Sequence, residues 1–105
     1  MSDQNHWSSI DFSLVDVIKD QIRKKEYDKA EENLLHAIDK FEAIALKEKE
    51  IVPPWWYYEL AVLYHKKGDL NKEKIILERY INLSGEKNLP LRGKKILERL
   101  QKLKV

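Results

Sequence analysis

From Ala30 to Ala45, apolar residues recur at three- and four-residue steps through Leu34, Ala37, Ile38, Phe41 and Ile44. That spacing lays one continuous stripe along a helix, whereas a strand would alternate at every second residue. No strand pattern appears anywhere in the chain, so its elements must be helices packing on helices. The striped helix is expected to begin at about Asp28 and to end near Lys49. Pro53 and Pro54 close that segment and supply the first turn of the next helix, where a missing N–H does no harm.

The same periodicity organises the rest. A first helix begins near Ile10 or Asp11, with two starts open to it, since Ser8 with Asp11 and Ser13 with Asp16 both have capping-box spacing. It runs to about Lys25 with Leu14, Val17, Ile18 and Ile22 on one face. The third helix runs from the prolines to Lys67, and Gly68 is its left-handed stop. Asp69 or Asn71 caps a fourth helix carrying Leu70, Ile75, Ile76, Tyr80, Ile81 and Leu83, which ends at Ser84 and Gly85. A final helix starts near Pro90 and aligns Ile96, Leu97, Leu100 and Leu103. The expected fold class is all-α, about five helices with short connections and therefore antiparallel neighbours. Residues 9–105 are read as one helical domain, and residues 1–8, polar apart from Trp7, as a flexible tail.

Composition narrows the function classes. In 105 residues, 43% hydrophobic content permits a core, and 36% charged content gives the helices heavily solvated outer faces. Three glycines and three prolines leave little material for β-turns. With no cysteine there is no disulfide framework, thiolate metal site or cysteine nucleophile. The opening MSDQNHWSS lacks the basic-then-apolar layout of a signal peptide, and the longest uncharged run, Ile51 to Tyr58, is far short of a membrane span. A cytoplasmic protein without a membrane segment is the expectation. No glycine-rich phosphate loop, nucleophile elbow or HExxH motif occurs, so neither an enzyme nor a cofactor is expected. His6, His36 and His65 are dispersed without metal-ligand spacing and read as structural or surface residues.

The run PPWWYYELAVLY, residues 53–64, poses a geometric question. A helix turns about 100° per residue, so Trp55, Trp56, Tyr57 and Tyr58 point in four directions and cannot share one core. Tyr57, Leu60, Ala61 and Tyr64 set the buried direction. Trp56 and Tyr58 then flank it on opposite sides, and Trp55 points almost directly away. Trp56 is expected to pack against a neighbouring helix. Trp55 either covers a helix end or stands exposed.

Residues 56–83, WYYELAVLYHKKGDLNKEKIILERYINL, resemble a tetratricopeptide repeat. Tyr57, Leu60, Ala61 and Tyr64 match the family's first helix, Gly68 and Asp69 its turn, and Leu70, Leu77 and Ile81 bulky positions of its second helix. Glu73 and Tyr80 stand where small residues are usual, which loosens the helix pairing that the resemblance implies. A half-match, YDKAEENLLHAI at residues 27–38, places Tyr27, Ala30, Leu34, Ala37 and Ile38 on a second helix, although Ile18 and Gln21 fit the preceding helix poorly. Tyr27 and Leu70 are equivalent positions 43 residues apart, against the family's period of roughly 34, and the excess falls in the long second helix. The resemblance covers about residues 20–83 and implies two stacked hairpins with a terminal helix over the last open face.

It also implies a function, a protein-binding module of the adaptor, scaffold or inhibitor kind. Ligand-contacting positions carried over from the family fall on Trp55, Tyr58, Val62, His65 and Lys66, and in the poorer first repeat on Val15, Lys19, Ile22 and Arg23. That mixed aromatic, apolar and cationic strip suits a peptide or helix with some acidic character. Tyr58 and Val62 replace members of the clamp that reads a terminal carboxylate, so that ligand is not expected. Few repeats leave apolar surface on the long second helix, notably Ile44 and Leu46, and self-association as a homodimer is expected through that extension or through the terminal helix. A second reading starts from charge. Between Leu91 and Val105, Arg92, Lys94, Lys95, Arg99, Lys102 and Lys104 face the single acid Glu98, a local +5 in a chain of net +2 that leaves −3 elsewhere. Such a helix is either a snorkelling basic face or a contact for an anionic partner, in which case the protein is nucleic-acid-associated through Arg92, Lys94, Lys95, Arg99 and Lys102.

Overall fold

In a computed structural model, residues 13–48, 52–87 and 89–103 are described, and they form five α-helices and no strand. The helices are α1 (Ser13–Arg23), α2 (Tyr27–Glu48), α3 (Pro54–Lys66), α4 (Leu70–Ser84) and α5 (Leu91–Leu103). The candidate tail at residues 1–8, the alternative helix starts at Ile10 and Asp11, and the expected end of α2 at Lys49 lie outside the described residues. The chain divides into two compact units, Met1–Ile51 and Val52–Val105.

In the first unit α1 and α2 form a hairpin. The Lys25 N–H donates to the Ile22 carbonyl and the Glu26 N–H to the Gln21 carbonyl, at 3.0 and 2.8 Å. This is the paired closure that ends a helix on a left-handed residue, and Lys25 takes that conformation at φ 62°. The helix expected to reach Lys25 therefore stops at Arg23, because a left-handed residue cannot extend it. Ile18, Ala30, Leu34, Ala37, Ile38 and Phe41 are buried, which matches the stripe. Val17, expected on the same face, is 45% exposed, since it lies about 100° around the helix from Ile18. Beyond Phe41 the stripe opens: Ile44 is half-buried and Leu46 is 86% exposed.

The second unit joins α3 and α4 with the same closure. Gly68, at φ 77°, donates to His65 and Asp69 donates to Tyr64, at 3.0 and 2.9 Å. Asp69, rather than Asn71, caps α4, its carboxylate accepting from the Lys72 N–H at 3.0 Å. The core of the hairpin includes the Tyr57 and Tyr80 rings, 5.3 Å apart and tilted by 57°. Helix α5 packs on both α4 and α3 and buries Ile96 and Leu100, while Leu97 and Leu103 are half-buried. Gly93 sets how closely α5 approaches α4: a Cβ placed there would meet the Tyr80 hydroxyl at 2.7 Å. Leu70, Ile75 and Leu83, expected among the apolar positions of α4, are exposed. The buried face of α4 is Glu73, Ile76, Leu77, Tyr80 and Ile81, a stripe too narrow to take them in.

Candidate functional site

The aromatic run separates into core and surface. Trp56 and Tyr57 are buried, and Trp55 and Tyr58 are half-buried. Trp55 does not stand free of the fold as its angle suggests: its ring meets the edge of Trp56 at 4.9 Å with an interplanar angle of 86°. Tyr58 faces α5, where the guanidinium groups of Arg92 and Arg99 each lie 5.9 Å from its ring centre. Both are within the range of cation–π attraction. Two sets of candidate residues, the strip on α3 and the basic positions on α5, thus converge on Tyr58.

Arg92, Lys95, Arg99 and Lys102 succeed one another by three, four and three residues and so share one face of α5. Lys94 is exposed and off that stripe. Tyr58, Lys95, Glu98, Arg99 and Lys102 line a cleft of about 260 Å³. Of the remaining strip residues, Val62 is half-buried and Lys66 is exposed.

Behind the cleft lies a buried charge. Glu73 is 1% exposed, yet each of its carboxylate oxygens has a partner. Arg99 Nε donates to Oε2 at 2.6 Å, and His65 Nδ1 lies 3.0 Å from Oε1. A carboxylate oxygen accepts, so the imidazole presents Nδ1–H to it. The three residues come from α3, α4 and α5, and the carboxylate joins all three helices of the unit. Glu73 was not among the candidate site residues. Its signal was available, since it falls on the buried stripe of α4 at the position equivalent to Ala30 of α2.

In the first unit Lys19 and Arg23 are exposed, and Val15 and Ile22 are half-buried. Arg23 and Lys24 both bind the Asp20 carboxylate, Lys24 at 3.0 Å. The hydrogen bond from Lys24, ahead of that from Arg23, holds the Asp20 carboxyl below its ordinary range. Part of the positive charge on this end of α1 is therefore answered locally.

Among the described residues no group of three or more His, Cys, Asp or Glu side chains could hold a metal ion. His36 is exposed, and His6 lies outside the described residues. No described helix is long and apolar enough to cross a membrane. No family model, curated protein or solved structure matches the chain.

Proposed function

We propose that the protein is a non-enzymatic interaction module, an adaptor, scaffold or inhibitor, that binds a peptide or helix of another protein through the aromatic and basic surface of α3 and α5. The observation that carries this reading is Tyr58, half-buried on α3 and flanked by the basic stripe of α5. Large amphipathic rings beside arginine are the side chains on which binding energy concentrates at protein interfaces. A tetratricopeptide-like repeat is the architecture we assign to it. Its support is that Lys25–Glu26 and Gly68–Asp69, 43 residues apart, close their helices with the same pair of hydrogen bonds. The module needs no cofactor and works in the cytoplasm, and the exposed Leu46 on α2 offers a contact for a second copy.

The competing reading, association with nucleic acid through α5, draws less support. Arg99 is already paired with Glu73, and Glu98 lies in the same cleft as the lysines.

Affinity capture from the native host, with the wild-type chain and the Trp55→Ala and Tyr58→Ala variants as parallel baits, tests the proposal. A protein retained in stoichiometric amount by the wild type and lost from a folded Tyr58→Ala bait supports it. Retention indifferent to both substitutions, or a nuclease-sensitive catch, counts against it.

A further inference from the structure

We infer that the cleft lined by Tyr58, Lys95, Arg99 and Lys102 is a subsite for one carboxylate side chain of an acidic peptide. This rests on the interaction reading above and names the chemistry of the partner.

Size comes first. At about 260 Å³ the cleft lies below the roughly 300–1,000 Å³ of pockets that enclose small molecules, and it is large enough for a single side chain. Charge comes next. Lys95 and Lys102 flank Arg99 four residues before and three residues after it, on the same face of α5. Arg99 is bound to Glu73 through Nε, and that bond leaves its two Nη groups outside it. An arginine presents a planar fork suited to carboxylate, and here one edge of the fork is tied to a buried acceptor while Tyr58 lies 5.9 Å from the guanidinium carbon. The side chain is thus oriented before any ligand arrives, which lowers the ordering cost of binding.

The acids set the valence. Glu73 answers Arg99 from behind, and Glu98 shares the lining with the lysines. What remains attracts one negative charge. Within the cleft itself Glu98 opposes a second negative charge beside the first, which favours an isolated carboxylate at this subsite. The half-buried Trp55, three residues before Tyr58 on α3, adds an apolar neighbour on the same side of that helix.

The test is an amide NMR titration of the full chain with an acetylated, amidated ten-residue peptide of alternating leucine and glutamate. The same peptide with glutamine for glutamate is the first control, and sodium acetate is the second. The glutamate peptide should shift resonances of Tyr58, Lys95, Arg99 and Lys102, with affinity at least about tenfold above the glutamine peptide, a gap of about 1.4 kcal/mol. The double variant Lys95→Gln/Lys102→Gln, both exposed positions, should melt as the wild type does and lose that preference. Equal binding of the two peptides, no shift at millimolar peptide, shifts outside the cleft, or acetate binding as tightly as the peptide would each overturn the inference. If the double variant still retains the captured host protein while Tyr58→Ala does not, the interaction function stands and the carboxylate subsite falls. Tighter binding of a single-stranded oligonucleotide than of the peptide removes both.

Discussion

Gly93 is the third residue of α5, and replacing it with alanine sets two effects against each other. A helix gains up to about 1 kcal/mol from glycine to alanine, less within the first turn. The added methyl carbon would stand 2.7 Å from the Tyr80 hydroxyl and 3.2 Å from Pro90 Cδ, inside the 3.4 Å at which ordinary contact begins. Tyr80 has no room to retreat, since it is fully buried with its ring beside Tyr57. Overpacking of this kind costs about 1–3 kcal/mol. Gly93→Ala is therefore expected to lower the stability of the second unit by about 1–2 kcal/mol. The hydroxyl is also dispensable. Ser84 is near enough to affect the titration of Tyr80, yet neither hydroxyl forms a hydrogen bond of normal geometry. Tyr80→Phe should thus be close to neutral, and in that background Gly93→Ala should become neutral or stabilising. Urea unfolding followed by tryptophan fluorescence, with Trp55 and Trp56 as reporters within the unit, gives the four free energies of the cycle. The coupling should be about 1–3 kcal/mol. Equal effects of Gly93→Ala in both backgrounds would show that the hydroxyl does not set the approach of α5.

Three further outcomes are expected. Arg99→Gln strands the Glu73 carboxylate and should cost about 3 kcal/mol in urea unfolding, the low end for breaking a buried pair because Arg99 is 26% exposed; a loss under about 1 kcal/mol would mean that water reaches Glu73. Tyr64→Ala should cost about 3–5 kcal/mol and Trp55→Ala about 1–2, because only the first empties a core site; equal melting shifts would place the Trp55 indole in the core. Burial pushes the Tyr80 phenol above its ordinary value of 10.0, with Ser84 offsetting part of the effect. The fold favours the protonated form, so stability is intact below pH 10 and falls as pH rises further, when the unfolded chain ionises first. Urea midpoints across that range should show this component in the wild type and lose it in Tyr80→Phe; an unchanged pH profile in that variant would assign the loss to other groups.

The helices were legible because their signals are local. The stripe of α2, the prolines before α3, and Gly68 with Asp69 each act within a turn or two of their own position. Burial was legible only where a stripe coincided with a neighbour. Val17, Leu70, Ile75 and Leu83 are apolar by identity and exposed by angle, and only the placement of the partner helix decides between the two. Lys25 was hidden for another reason, since a left-handed lysine is imposed by the closure of α1 rather than favoured by its own side chain. The pairing of Glu73 with Arg99 spans 26 residues and depends on α5 folding back over α3 and α4. The same fold-back merged two candidate surfaces, the strip on α3 and the basic helix, which no periodicity could place side by side.

Glu73 has a consequence for how such a sequence can change over generations. Where the first hairpin buries Ala30, the second buries a carboxylate whose partners lie on two other helices. Removing Arg99 alone leaves an uncompensated charge in the core, and removing Glu73 alone leaves a half-buried cation, so each single step is penalised. Replacing both with apolar residues of similar volume can be neutral or favourable. Descendants of this chain should therefore hold positions 73 and 99 as a matched ionic pair or exchange them for a matched apolar pair. Position 65, whose imidazole is largely exposed, is free to drift more quickly.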